Sequence, residues 1–282
     1  MLEVIAENKA GQQLKLSHNP YYTLMAVSGV TPPKANINTA NLATKDGSVF
    51  NSSMLNNRNI VLTVLPVLRV EQARLNLYKV FKSKQYIKLY FKTSSRNVWI
   101  EGYIESMETD LYANPQKIQI SVICPDPYLK AVEQTVVNFS NVTSEFVFPV
   151  DFVTAGVVLS TFSQDNQVDI YNDSDDETGF IAQFYMSGTV NGITLVNDST
   201  GQSFSINYAF AEGDELILNT KRGEKGVTLV SGGVQTNLIN YMEINSDWIT
   251  LQTGDNLISY TTSSGLENLF VKVILQPIYE GV

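Results

Sequence analysis

Apolar positions in the first 133 residues follow two periods. LEVIA, LKLS and YYTLMAVSGV read as short strands, IVLTVLPVL at 60–68 is a nearly continuous apolar run suited to a buried strand, and YIKLYFK, RNVWIEGYIESM and QKIQISVIC alternate. Between these runs, VEQARLNLYKVFK places Val70, Ala73, Leu77 and Phe81 at helical spacing opposite charged positions, which predicts one amphipathic helix packing by a single face. TPP at 31–33 breaks the strand pattern, and KDGS at 45–48 carries an Asp-Gly turn signal. Together they predict an α+β unit, a sheet with one packed helix laid against it.

Beyond residue 133 the sequence has no good helical stretch. VVNFS, FVFPV, VDIYN, FIAQFYMSG, GITLVN, SFSINYAF, DELILN, GVTLVS, DWITLQ, NLISYTT and LFVKVILQP follow one another at close, fairly even spacing. Turn signals such as DSTG, EGD, KRGEKG and QTGDN separate them. That cadence predicts a two-sheet β-sandwich, so the chain as a whole is mainly β.

Charge divides the chain at the same place. Residues 1–133 hold 15 Lys and Arg against 10 Asp and Glu, and residues 134–282 hold 4 against 18, so a net charge of −9 combines a front half at +5 with a rear half at −14. The shift follows IQISVICPDPYLK, where an alternating strand runs into two prolines flanking an aspartate. Proline lacks a backbone donor and fixes its φ, so Cys124, Pro125, Asp126, Pro127 and Tyr128 are expected to end the last strand of a first domain (1–133) and stiffen the passage into a second (134–282).

Candidate chemistry is sparse. One cysteine and one histidine, His18, supply neither a disulfide nor a Cys/His zinc site. Cys124 shares the strand face of Ile118, Ile120 and Val122 and is expected to be an inert, buried thiol. Glu105 and Glu108 are three apart on a strand, which sends them to opposite faces rather than into a glycosidase pair. NDSDDE at 172–177 lacks the spacing of a calcium loop, and STGQS and SGGV lack the lysine of a phosphate loop. No catalytic residue, metal site or cofactor is therefore expected. The sequons at Asn138 and Asn141 matter only in a secreted protein.

Lys79, Lys82, Lys84, Lys88 and Lys92 fall within fifteen residues and read either as edge-protecting, solubilising charge or as a surface that docks acidic neighbours. An acidic chain is not expected to recognise nucleic acid sequence. No apolar run approaches the roughly 18 to 20 residues of a membrane span, so no membrane insertion is expected. MLEVIAENK lacks the features of a secretory signal, which predicts a protein that is cytosolic when made.

Several stretches, in order along nearly the whole chain, resemble the distal tail proteins of tailed bacteriophages. They are YYTLMAVSGVTPP, KDGSVFNSSMLNNRNIVLTV with its arginine before a long strand, the helix, WIEGYIESME, CPDPYLKA, VNDSTGQSFSINYAFAEGDELILNTKRG, NSDWITLQTGDNLISY and ILQPIYEGV. Asn219 departs from the pattern, standing before Thr220 where an acidic residue is expected. The resemblance implies a ring-forming N-terminal domain and a galectin-like, carbohydrate-binding-module-like β-sandwich behind it. It further implies a non-enzymatic tail-tip or baseplate component, assembled in the host cytoplasm and carried in the virion. That component would form a hexameric ring, single or stacked, binding the tail tube protein on one side and the tail hub and receptor-binding protein on the other. The competing implication is a carbohydrate-binding adhesin, with Trp248, Tyr260, Tyr208 and Phe210 as a stacking platform. A cell-wall hydrolase is a third class, and needs two convergent carboxylates in a cleft.

Overall fold

Backbone pairing and burial divide the chain into two compact units, Met1–Glu133 with Ile278–Val282, and Gln134–Pro277. The computed structural model describes residues 2–43, 46–144, 160–164 and 166–282, with the backbone alone for 140–144 and 160–164. The stretch FVFPV, expected to be a strand, lies outside the described residues.

The first unit is built on the alternation read from its sequence. Its strands are β1 (Glu3–Asn8), β2 (Gln13–Lys15), β3 (Tyr22–Ser28), β4 (Ala35–Asn41), β5 (Ser48–Leu55), β6 (Arg58–Pro66), β7 (Tyr86–Lys92), β8 (Asn97–Thr109), β9 (Ile118–Cys124) and β10 (Leu129–Ala131), with α1 spanning Val70–Val80. Seven of them form an antiparallel sheet in the order β2-β1-β7-β8-β9-β6-β3, and β10 pairs with β8. Inward side chains of β6 (Ile60, Leu62, Val64), β7 (Ile87, Leu89, Phe91) and β9 (Ile118, Ile120, Val122) are buried in one cluster with Ala73, Leu77 and Phe81 of the helix and its exit. Each fully buried side chain of this kind stabilises the fold by about 1.5–3 kcal/mol. Val70, expected on the packed face, is instead 37% exposed, because it stands at the first turn where the chain enters from the left-handed Arg69. Gly102 lets β9 lie close to β8: a Cβ there would meet Val122 Cγ1, the Ile123 carbonyl and Cys124 Sγ.

β4 and β5 pair only with each other. This hairpin had no strand pattern in the sequence beyond its Asp-Gly turn, and nearly every residue in it is exposed.

The second unit is a sandwich. Its strands are β11 (Thr135–Asn138), β12 (Ser140–Ser144), β13 (Ser160–Gln164), β14 (Gln167–Asn172), β15 (Phe180–Met186), β16 (Val190–Asn197), β17 (Gln202–Phe210), β18 (Glu215–Asn219), β19 (Gly226–Ser231), β20 (Val234–Asn237), β21 (Gly254–Ser264) and β22 (Leu269–Leu275). One sheet runs β11-β22-β15-β18-β19-β20 and the other β14-β21-β16-β17, while β12 and β13 pair as a ribbon. Phe180, Phe184, Leu218 and Val273 of the first sheet share a core with Leu195, Phe204, Ile258 and Tyr260 of the second.

DWITLQ, expected to be a strand, is not one. The segment makes a single bridge, Thr178 to Leu251, and one further main-chain bond, from the Asp247 amide to the Ser203 carbonyl, and is otherwise held by side chains. Asn197 Nδ2 donates to the Thr250 carbonyl, Asn172 Nδ2 to the Leu251 carbonyl, and Asn256 Nδ2 to the carbonyls of Gln252 and Gly254. These asparagines are fully buried, and such groups must be paired or cost stability.

After β22 the chain returns to the first unit as β23 (Ile278–Tyr279), pairing Tyr279 with Leu129 and Ile278 with Lys130. The second unit is thus an insertion between β10 and β23. Two sequence expectations change accordingly. The last five residues belong with the first domain rather than with the sandwich, because their partners lie there. The linker expected at Cys124–Tyr128 lies inside the first unit: the prolines interrupt pairing for four residues, β10 then resumes it, and the change of unit falls between Glu133 and Gln134.

Replacing Leu77 by Ala removes the centre of the helix's packed face and is expected to destabilise the first unit by about 2–5 kcal/mol. Hydrogen exchange should register the loss in β6–β9 and leave β15–β18 unchanged. Thr220→Val strips the hydroxyl that accepts from the Phe180 amide and donates to the Phe180 carbonyl. It should cost about 1–3 kcal/mol in urea unfolding of the second unit.

Candidate docking surfaces

Arg58, the first residue of β6, is 3% exposed and donates four hydrogen bonds to main-chain carbonyls. Its Nε donates to the Pro127 carbonyl (2.7 Å), Nη1 to those of Gly29 (2.8 Å) and Thr31 (3.2 Å), and Nη2 to that of Glu280 (2.7 Å). Burial pulls its pKa below the ordinary arginine value, and Cys124, Glu280 and Asp126 oppose that shift. Gly29 is required at the first acceptor: its φ is +82°, and a Cβ there would collide with the Asn59 carbonyl. Proline-flanked Asp126 and its neighbours therefore form a loop whose carbonyl receives a buried cation.

Cys124 ends β9 beside this cation, fully buried. Burial pushes its thiol from an ordinary value near 9 to about 12, with Arg58 opposing and Asp126 reinforcing the rise. It is a protonated core side chain across the neutral range. The unfolded chain ionises this thiol first, so the stabilisation it gives is complete below about pH 9 and disappears as pH rises toward 12. Urea titrations through that window should show a shallower fall for Cys124→Val than for the parent protein.

The five lysines do not form one surface. Alternation along β7 sends Ile87, Leu89 and Phe91 to the helix side and Lys88 and Lys92 to the other. Lys88 stands opposite Glu7 and Glu101, with its Nζ 3.7 Å from the Trp99 ring centre and 5.3 Å from that of Tyr90. Lys92 stands opposite Glu3. Lys79 lies in the last turn of α1, and Lys82 and Lys84 in the turn that follows. The outward sheet face is a ladder of alternating charge rather than a basic patch.

Glu105 and Glu108 also depart from expectation. A bulge between Ile104 and Ser106 shifts the phase of β8, so Met107 packs inward and both glutamates lie on the outward face. Glu105 is occupied by the Ser121 hydroxyl at 2.7 Å.

In the second unit, Tyr260 and Phe210 are core residues, Tyr260 meeting Phe139 edge-on at 5.1 Å. Tyr208 is half-buried between Phe210 and Tyr241, and Trp248 packs against the core beneath Lys225. The four aromatics expected as a sugar platform thus form no exposed stacking surface. In the 172–177 loop Asn172 is buried, accepting from Ser174 N, and Asp176 accepts from Glu177 N. Among the described residues no three His, Cys, Asp or Glu side chains group as metal ligands. No helix among them is long and apolar enough to cross a membrane.

What the first unit does expose is the β4–β5 ribbon. Ile37 and Phe50 are each 61% exposed and Met54 59%, on a hairpin with both faces toward solvent. At its foot lies a shallow polar cleft of about 660 Å³ lined by Gly29, Thr31, Pro32, Asn36, Asn57 and Arg58. Neither face is buried, so no alternation marked the ribbon in the sequence. The DG turn was its one local signal.

The first unit is a sheet with one packed helix, and the sandwich is inserted into it between β10 and β23. Comparisons with known proteins agree. Residues 9–124 match the phage tail protein RIFT-related domain, and residues 173–273 match the siphovirus-type tail component, C-terminal domain. The chain belongs to these siphovirus-type tail components, as a structural protein of the phage tail and baseplate. Among solved structures it is similar to SPP1 Dit, described as a paradigm of the hub adsorption apparatus in phages infecting Gram-positive hosts (TM-score 0.69, 13% identity, 99% of each chain). It is also similar to a chain of the phage p2 baseplate in its activated conformation with calcium (TM-score 0.54, 10% identity, 100% of each chain). Its fold is that of a distal tail protein. No curated protein sequence matches significantly.

The residues that carried the resemblance now have physical roles. Asn197, opening NDSTG, accepts from the Ser199 amide through its side chain and from the Gly201 amide through its carbonyl, and Asp214 of EGD accepts from the Ala211 amide. Asn219, the departure from the pattern, accepts from the Lys221 amide at 3.0 Å, a task an aspartate performs equally well.

Proposed function

We propose that this protein forms a closed ring, hexameric as in the family it belongs to, at the far end of a phage tail. The ring joins the tail tube protein to the hub and the receptor-binding apparatus, and the sandwich serves as a docking module. It assembles in the host cytoplasm, is carried in the virion and catalyses no reaction.

One observation carries the reading. A two-stranded ribbon is marginal in water on its own, and β4–β5 holds Ile37, Phe50 and Met54 in solvent on exactly such a ribbon's open faces. The same unit exposes Leu68, Leu75 and Tyr78 around the start and outer face of α1. A unit presenting two different apolar surfaces supports a head-to-tail contact between copies, and head-to-tail contacts close into rings when the rotation permits. Repetition of that contact by symmetry then turns a modest interface into a stable assembly.

The carbohydrate-binding alternative draws no support from Trp248, Tyr260, Tyr208 and Phe210, which serve the core or its margin. Electron microscopy of the purified protein should show annular particles, and sedimentation velocity a single oligomer. Phe50→Asp with Met54→Asp should weaken assembly at least about tenfold without altering the circular dichroism of the monomer. A parent protein that stays monomeric at every concentration overturns the ring.

A further inference from the structure

The foot of the ribbon is held by residues that follow the sandwich in sequence. β4 starts at Ala35 and β5 ends at Leu55, so the ribbon's two legs rise from the 29–34 turn and from Asn56–Asn57, immediately before Arg58. Arg58 grips the turn through the carbonyls of Gly29 and Thr31, and its fourth acceptor is Glu280. The same terminal segment touches the turn directly. Val282 N donates to the Val30 carbonyl at 3.1 Å, and Gly281 packs against Pro32 so closely that a Cβ on it would stand 3.0 Å from the proline ring. Arg96 holds this segment from the other side, donating to the Gly281 carbonyl with its guanidinium 4.3 Å from the centre of the Tyr279 ring.

We propose that Ile278–Val282 is an assembly latch: by completing the acceptor shell of Arg58 and bonding the 29–33 turn, it fixes the foot of the β4–β5 ribbon in the orientation that docks on a second copy. Without it, a buried cation loses an acceptor, β10 keeps β8 but loses β23, and the turn loses its bond to Val282. The ribbon stays attached to the unit, but its direction is no longer set. Assembly competence therefore depends on residues 278–282. The latch rests on the reading of the ribbon as the arm of the ring, and its test separates the two.

Hydrogen–deuterium exchange and sedimentation velocity are compared for the full chain, a chain stopped after Pro277, and Arg96→Gln. In the stopped chain, amides of 29–36 and 55–59 should exchange at least about tenfold faster while those of the sandwich stay protected, and the oligomer should be lost. Unchanged exchange at the ribbon foot, or an oligomer retained by the stopped chain, overturns the latch. Should the stopped chain lose the whole first unit, Arg96→Gln decides. Faster exchange confined to 278–282 and 29–36 upholds the latch, and no change, or a rise spread evenly across the unit, overturns it. A full-length parent that never oligomerises refutes the ring; the exchange measurements then still judge the latch.

Discussion

A buried guanidinium organises the first unit. Taking a cation out of water is costly unless its donors find acceptors, and Arg58 sets four of its five N–H groups on main-chain carbonyls rather than on a carboxylate. Carbonyls fixed in the backbone tie the cation to backbone geometry. The turn at Gly29, the loop at Pro127 and the terminal segment at Glu280 must all be in place together, or the charge is stranded. One side chain thereby couples parts of the sequence more than two hundred residues apart.

The second unit uses a different device. Its framework of buried amides and hydroxyls, Asn172, Asn197, Thr220 and Asn256, substitutes side-chain hydrogen bonds for strand pairing where the chain runs irregularly between sheets. Neutral groups suit this unit, whose residues 134–277 hold 17 Asp and Glu against 4 Lys and Arg. The buried carboxylate of this unit, Asp214, is held by the Ala211 amide. The charge asymmetry seen in the sequence thus coincides with a real change in how polar groups are buried, one unit centred on a cation and the other on amides.

How much of this was legible depended on whether a feature left a periodic or local chemical trace. β7, β8 and β9 alternate because one face is buried, and α1 shows its period because Ala73 and Leu77 meet that face. The β4–β5 ribbon buries neither face, so selection for a core left no pattern. DWITLQ mimicked a strand because Ile249 and Leu251 are core residues two apart, yet the backbone between them is served by asparagines distant in sequence. The proline pair follows the end of β9, and only the pairing of β10 shows that the chain returns to the sheet. The lysine cluster was a cluster in sequence alone, since strand alternation and the turn after α1 dispersed it. Arg58 was noticed as an arginine before a long strand, and nothing local announced its four acceptors.

The insertion of the sandwich between β10 and β23 has a bearing on how the protein is made. Translation delivers residues 1–133 first, but the piece that seals them emerges only after the entire sandwich, an interval of roughly ten to thirty seconds at ordinary elongation rates. The half translated first is thus the half completed last. Any contact that needs the finished first unit must therefore wait until the inserted module has been synthesised, a delay written into the order of the chain.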